Sequence, residues 1–174
     1  MHFSKVIVLL MFITLFNCEP PRPNSDPKMT GKDHTLKSLE YRNVSKDSSK
    51  KVKKVYVPVY SNIYQRTRNE RTALTSTLSI HNTSETDTLF ISRIDYFNTE
   101  GELVTRHLES TIYVNSFETI EYVVEEQDNS GGSGANFVIE WYGDETLNPL
   151  FQAVMIGGLA GKAFSFTTEG VYFE

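Results

Sequence analysis

The stretch RTALTSTLSIHNTSETDTLFISRIDYFNTEGELV, residues 71–104, decides the fold class. Leu74, Leu78 and Ile80 alternate with Thr75, Thr77 and Ser79, so the run carries one apolar and one polar face at a period of two. The polar segment His81 to Asp87 breaks the pattern and residues 89–97 resume it. Asn98-Thr99-Glu100-Gly101 then has the composition of a tight turn. With a further strand over 102–108, this reads as a β-hairpin. An amphipathic helix would repeat its apolar residues at roughly every third or fourth position, and this stretch does not.

The same period recurs outward from there. Ile120, Tyr122 and Val124 share one parity, as do Phe137, Ile139 and Trp141, and further strands are expected over 55–60, 111–114, 150–156 and 163–167. Turn-forming residues separate these runs at Asn115-Ser116 and from Asp128 to Gly134. The expected architecture is all-β: an antiparallel, immunoglobulin-like β-sandwich of about seven to eight strands. Pro58 cannot donate a ladder hydrogen bond, which predicts that the first strand lies at a sheet edge. Gly157 to Gly161 is expected to bend the chain between the last strands. With 174 residues, 39% of them hydrophobic, the chain suits one core. Its one Cys excludes a disulfide framework and any multi-cysteine metal site.

Upstream of the domain the chain has a different character. Lys5 precedes an apolar run from Val6 to Phe16. As a helix this run rises roughly 16 Å, about half of a ~30 Å hydrocarbon core, which fits a secretory segment better than a membrane span. It ends in Leu15-Phe16-Asn17-Cys18, which resembles the lipobox of bacterial lipoproteins; Leu15 and Cys18 match that pattern, while Phe16 and Asn17 are larger than the pattern favours. The resemblance implies cleavage before Cys18 and acylation of its sulfur, with fatty-acyl chains such as palmitate holding the protein on a membrane. An ordinary signal peptide is the alternative. The expected organisation is a lipoprotein signal peptide over 1–17, a lipid-anchor Cys and disordered tether over 18–54, and a β-sandwich over 55–174. The tether is rich in proline and polar residues and lacks sustained apolar periodicity.

Charge divides at the same place. Residues 18–54 hold ten Lys/Arg against five Asp/Glu, a net +5, whereas residues 55–174 hold six against seventeen, a net -11. A basic tether suits anionic head groups and an acidic domain is repelled by them. That acidity argues against nucleic acid as a partner. Arg66, Arg68 and Arg71 cluster in QRTRNERT, but Glu70 interrupts them and the segment reads as a solvated turn.

Several blocks carry a family resemblance: YVPVYSNIY, TLSIHNTS, RIDYFNTEGELV, SGGSGANFVIEW and AVMIGG. Together they resemble an uncharacterised bacterial lipoprotein family catalogued only as a domain of unknown function. The resemblance runs from about residue 55 to the C-terminus and implies a secreted or lipid-anchored protein. It brings no catalytic residues.

Candidate chemistry is sparse. Ser130-Gly131-Gly132-Ser133-Gly134-Ala135 could form an anion-binding nest, but it precedes a strand and lacks the Lys of a phosphate loop, so a hairpin or bulge needing positive φ accounts for it better. Ser133, His107 and Asp95 can be written as a triad without any spacing to recommend it. Glu118, Glu121, Glu125, Glu126 and Asp128 could attract calcium, but lack the alternating pattern of a calcium loop. The aromatics offer the best binding surface: Tyr56, Tyr60, Tyr64, Trp141 and Tyr142 could contact a glycan or a protein, with core filling as the competing reading for Trp141. The overall expectation is a non-enzymatic binding or structural module of the cell envelope. It would be lipid-anchored and extracytoplasmic, without cofactor or metal, and its partners would be the membrane, through the anchor, and an envelope protein or glycan. A small envelope hydrolase and a calcium-dependent ligand binder are the alternatives.

Overall fold

The computed structural model of the chain describes residues 42–174. The expected signal peptide, Cys18 and the first part of the expected tether lie outside the described residues. Within them the alternating runs become strands, twelve in all. β1 is Asn43–Val44, β2 Lys53–Pro58, β3 Asn62–Tyr64, β4 Arg71–His81, β5 Leu89–Phe97 and β6 Leu103–Arg106. β7 is Thr111–Val114, β8 Thr119–Val124, β9 Asn136–Tyr142, β10 Leu150–Leu159, β11 Lys162–Glu169 and β12 Val171–Phe173. Nine of them fall on the ranges read as strands, one or two more than the expected total, and β1, β3 and β12, with two or three residues each, are too short for alternation to register.

The strands form two antiparallel sheets packed as a β-sandwich. The larger runs β1-β7-β5-β9-β2-β12, with β6 beside β5. The smaller runs β11-β10-β4-β3, with β8 beside β4. Inward residues of both sheets meet in one core, including Val55, Ile139 and Phe137 from the larger sheet and Leu74, Leu78 and Met155 from the smaller. Trp141 and Phe151 meet across it with ring centroids 6.0 Å apart. No helix among the described residues is long and apolar enough to cross a membrane.

The hairpin that set the fold class forms as expected. Asn98 closes it by donating its N–H to the Glu102 carbonyl at 3.0 Å, and Gly101 takes φ +80°. One feature of β5 departs from simple alternation. Ile91 and Ile94 are both fully buried although their spacing puts them on opposite faces, and the register of β5 against β9 slips between Ile91 and Arg93 to allow it.

Two expectations are corrected and a third is narrowed. β2 is internal, because β12 pairs with its Lys54–Tyr56 portion; Pro58 is tolerated because it lies past the end of β12. The expected bend within Gly157 to Gly161 forms and is narrowed to Ala160-Gly161, where φ is +50° and +77°, because Gly157 and Gly158 still belong to β10. The last part of the expected tether is docked on the domain. Arg42 pairs with Glu118 at 2.6 Å, β1 adds to β7, and the Lys53 ammonium lies 4.6 Å from the Trp141 ring centroid. Hydropathy misses this segment because charge complementarity and backbone pairing hold it more than apolar burial does.

Candidate functional site

A seven-residue span separates the aligned positions that build the clearest candidate site. β3 and β4 pair as a hairpin with Asn62 opposite Ala73, Ile63 opposite Thr72 and Tyr64 opposite Arg71. Facing pairs in an antiparallel ladder put their side chains side by side. The Arg71 guanidinium lies 4.5 Å from the Tyr64 ring centroid. Its Nη2 donates to the Tyr64 hydroxyl at 2.9 Å and its Nη1 to Asn62 Oδ1 at 3.0 Å. Arg71 forms no ion pair among the described residues. Of the five N–H groups on a guanidinium, three have no partner among the described residues.

This pair forms one wall of an open cleft of about 650 Å³, and the glycine-rich loop and the β5–β6 turn form the rest. The loop is tightly tied down. Ser61 N–H donates to the Gly132 carbonyl at 2.9 Å, Thr99 N–H to Gly131 at 2.9 Å, and Gly134 N–H to Thr99 Oγ1 at 2.9 Å. Positive φ appears as expected, +74° at Gly132, and the loop closes in a single 3₁₀ turn over Gly132–Gly134. Gly131 is right-handed (φ -78°, ψ -34°), so the two glycines alternate in hand, as in a backbone nest where successive amide N–H groups converge. Gly131 also has no room for a side chain, since a Cβ would stand 1.8 Å from the Tyr96 hydroxyl.

The aromatics expected at a ligand surface are dispersed. Tyr64 is 52% exposed and lines the cleft. Tyr56 faces outward from β2, between the buried Val55 and Val57, while Tyr60 packs edge-on against Phe166 at 6.0 Å. Trp141 is 1% exposed, so its ring fills the core and cannot take a ligand. Tyr142 is buried too; it stacks on Phe90 at 5.1 Å at the floor of a second cleft of about 490 Å³, and Asp47 N–H donates to its hydroxyl at 3.2 Å.

The residues of the written triad do not interact as one. Both oxygens of the buried Asp95 are taken by Arg93 and Arg106. Burial alone would raise this carboxyl, but hydrogen bonds from Arg106 and Arg93 hold it below the ordinary value. His107 packs tilted against Tyr122 with ring centroids 3.8 Å apart, its Nε2 has no partner among the described residues, and no hydrogen bond joins it to Asp95 or Ser133. Burial pushes its pKa down to about 4, against a smaller upward pull from Asp95. In the acidic run, Glu118 binds Arg42 and Asn115, and no three metal-type side chains converge among the described residues.

In the sequence Arg71 groups with Arg66 and Arg68 as one basic turn. The structure separates them: Arg66 and Arg68 sit in the exposed 65–70 loop, while Arg71 is the first residue of β4. The available signal was the spacing of Tyr64 and Arg71 around a polar turn.

A family model described as "Protein of unknown function (DUF3124)" matches residues 52–173. No curated protein matches the chain. Among solved structures, one titled "Crystal Structure of Thermotoga maritima 1070" is similar at 12% identity, covering 68% of this chain and 92% of that one with a TM-score of 0.41.

Proposed function

The chain belongs to the family of proteins of unknown function (DUF3124), and within it we propose a lipid-anchored, extracytoplasmic, non-enzymatic binding module of the bacterial cell envelope. The observation that carries the binding role is the exposed Tyr64–Arg71 pair on the wall of the open cleft. An aromatic ring and a cation, both fixed by the hairpin ladder, offer a ligand stacking and charge-assisted hydrogen bonds at little ordering cost. The location rests on sequence: Lys5, the apolar run to Phe16, and the single Cys directly after it. A basic tether would place an acidic domain off an anionic surface.

Two measurements test the two halves of the proposal. Mass spectrometry of the mature protein from a detergent fraction is expected to find Cys18 as an acylated N-terminus; an intact precursor with a free thiol in the soluble fraction would sink the anchor. Glycan and envelope-protein arrays probed with the full chain are expected to find a ligand whose capture drops when Tyr64 becomes Ala. Turnover of an envelope substrate that depends on Ser133 or His107 would favour the hydrolase instead.

A further inference from the structure

We propose that the cleft walled by Tyr64 and Arg71 takes a carboxylate-bearing sugar, with Arg71 reading the carboxylate; this deepens the binding role proposed above and rests on it. Arg71 is fixed by Asn62 and Tyr64 without being neutralised by an acid, in a domain whose residues 55–174 carry a net charge of -11. Its three unused N–H groups present donors to a group that can accept from several at once, as a carboxylate does. Gly132 and Ser133 line the same cleft, and the alternating hand of Gly131-Gly132 is the backbone pattern found in oxyanion-binding nests.

Two observations select the ligand further. Glu100 also lines the cleft, so the lining as a whole is near neutral and disfavours a phosphate dianion more than a singly charged carboxylate held at Arg71. The rest of the wall is polar: the Ser133 hydroxyl has no partner among the described residues, Thr99 and Ser130 already donate within the loop and keep only acceptor capacity for sugar hydroxyls, and the partly exposed Tyr64 ring can lie against a sugar face. A purely apolar ligand would cover the Ser133 hydroxyl and the unused Arg71 N–H groups without pairing them.

The test uses the full chain in detergent and a panel of galacturonate, glucuronate, sialate and muramate oligosaccharides, each beside its methyl ester, with inorganic phosphate as a separate arm. At least one acidic sugar is expected to bind, with its ester at least tenfold weaker. Arg71→Gln should abolish that preference while keeping the wild-type melting temperature. Arg71→Lys, which keeps the charge but loses the fork, should recover part of it. Equal binding of acid and ester would overturn the carboxylate assignment and leave the module standing. Tighter binding of phosphate would reassign the cleft to a different anion. Silence across both acid and ester arms would remove the sugar inference, and the wider arrays would then decide the module separately.

Discussion

Tyr96 and Tyr64 flank the same glycine loop and live in opposite physical worlds. Tyr96 is 2% exposed, tilted against Phe137 at 4.8 Å, and shares a 2.8 Å hydrogen bond with the buried Ser61 hydroxyl. Tyr64 is half exposed and braced by Arg71. Side chains in the first region are ordered by exclusion of water, so their removal costs stability. Those in the second are ordered by the hairpin ladder and two hydrogen bonds, so they remain available to a ligand. The difference teaches that the loop between them is a partition: its backbone closes the core on one side and lines a cleft on the other.

The strongest way to break that contrast is Phe137→Ala. Phe137 is fully buried among Tyr96, Tyr122 and His107, so the substitution opens a cavity between the sheets. A loss of about 3–5 kcal/mol is expected from urea unfolding. A loss below about 1 kcal/mol would mean the aromatic cluster does not join the sheets as described.

The partition itself is tested by Gly131→Ala. The added methyl collides with the Tyr96 hydroxyl and lies 2.7 Å from Ser61 Oγ, and neither buried group has space to retreat. Overpacking of this kind costs about 1–3 kcal/mol. Gly101→Ala is the control: nothing lies within 4 Å of its Cβ, so only the φ of +80° is strained.

The two regions also differ in how far they could be read in advance. The core was legible because period-two alternation reports burial directly: Phe137, Ile139 and Trp141 all face inward. The hairpin at Gly101 was legible because turn chemistry is local. The cleft was not, since it joins residues from β3, β4 and two loops separated widely in sequence. Within QRTRNERT itself nothing distinguishes an arginine on a strand from two on a loop; the only local signal is the spacing of Arg71 from Tyr64, which the register makes a facing pair. The docked strap from Arg42 was hidden for a related reason, because a charged segment can be held by complementary charge without an apolar pattern.

Acid separates the regions in a third way. The folded-state pKa of His107 is about 4, below its ordinary 6.5, because burial disfavours its charged form. The unfolded chain therefore takes up a proton first as pH falls, and stability present above about pH 6.5 is lost progressively toward pH 4. Discounted for partial solvent access, this loss is about 1–2 kcal/mol. Asp95, whose pKa is lowered, adds its own loss at lower pH, beginning as pH falls through the ordinary carboxylate value near 3.8 and continuing below it. His107→Phe should flatten the upper window of a stability-against-pH curve and leave the lower one. If both windows persist unchanged, the imidazole is not the group responsible.

The finest comparison applies one substitution to both tyrosines. Tyr96→Phe removes a hydroxyl whose partner, Ser61 Oγ, is fully buried and has no other hydrogen bond, so an unsatisfied polar atom is left in the core. The expected cost is about 1–2 kcal/mol. Tyr64→Phe removes a hydroxyl that water can replace at Arg71, and a surface change of this kind stays within about 0.5 kcal/mol. The ring and its contact with the guanidinium survive, so acidic-sugar binding should weaken only modestly, through looser orientation of Arg71. Chemical denaturation of the two variants side by side checks the pair. Equal losses at both positions would mean that Tyr64 also supports the fold, and the partition drawn at the glycine loop would then be misplaced.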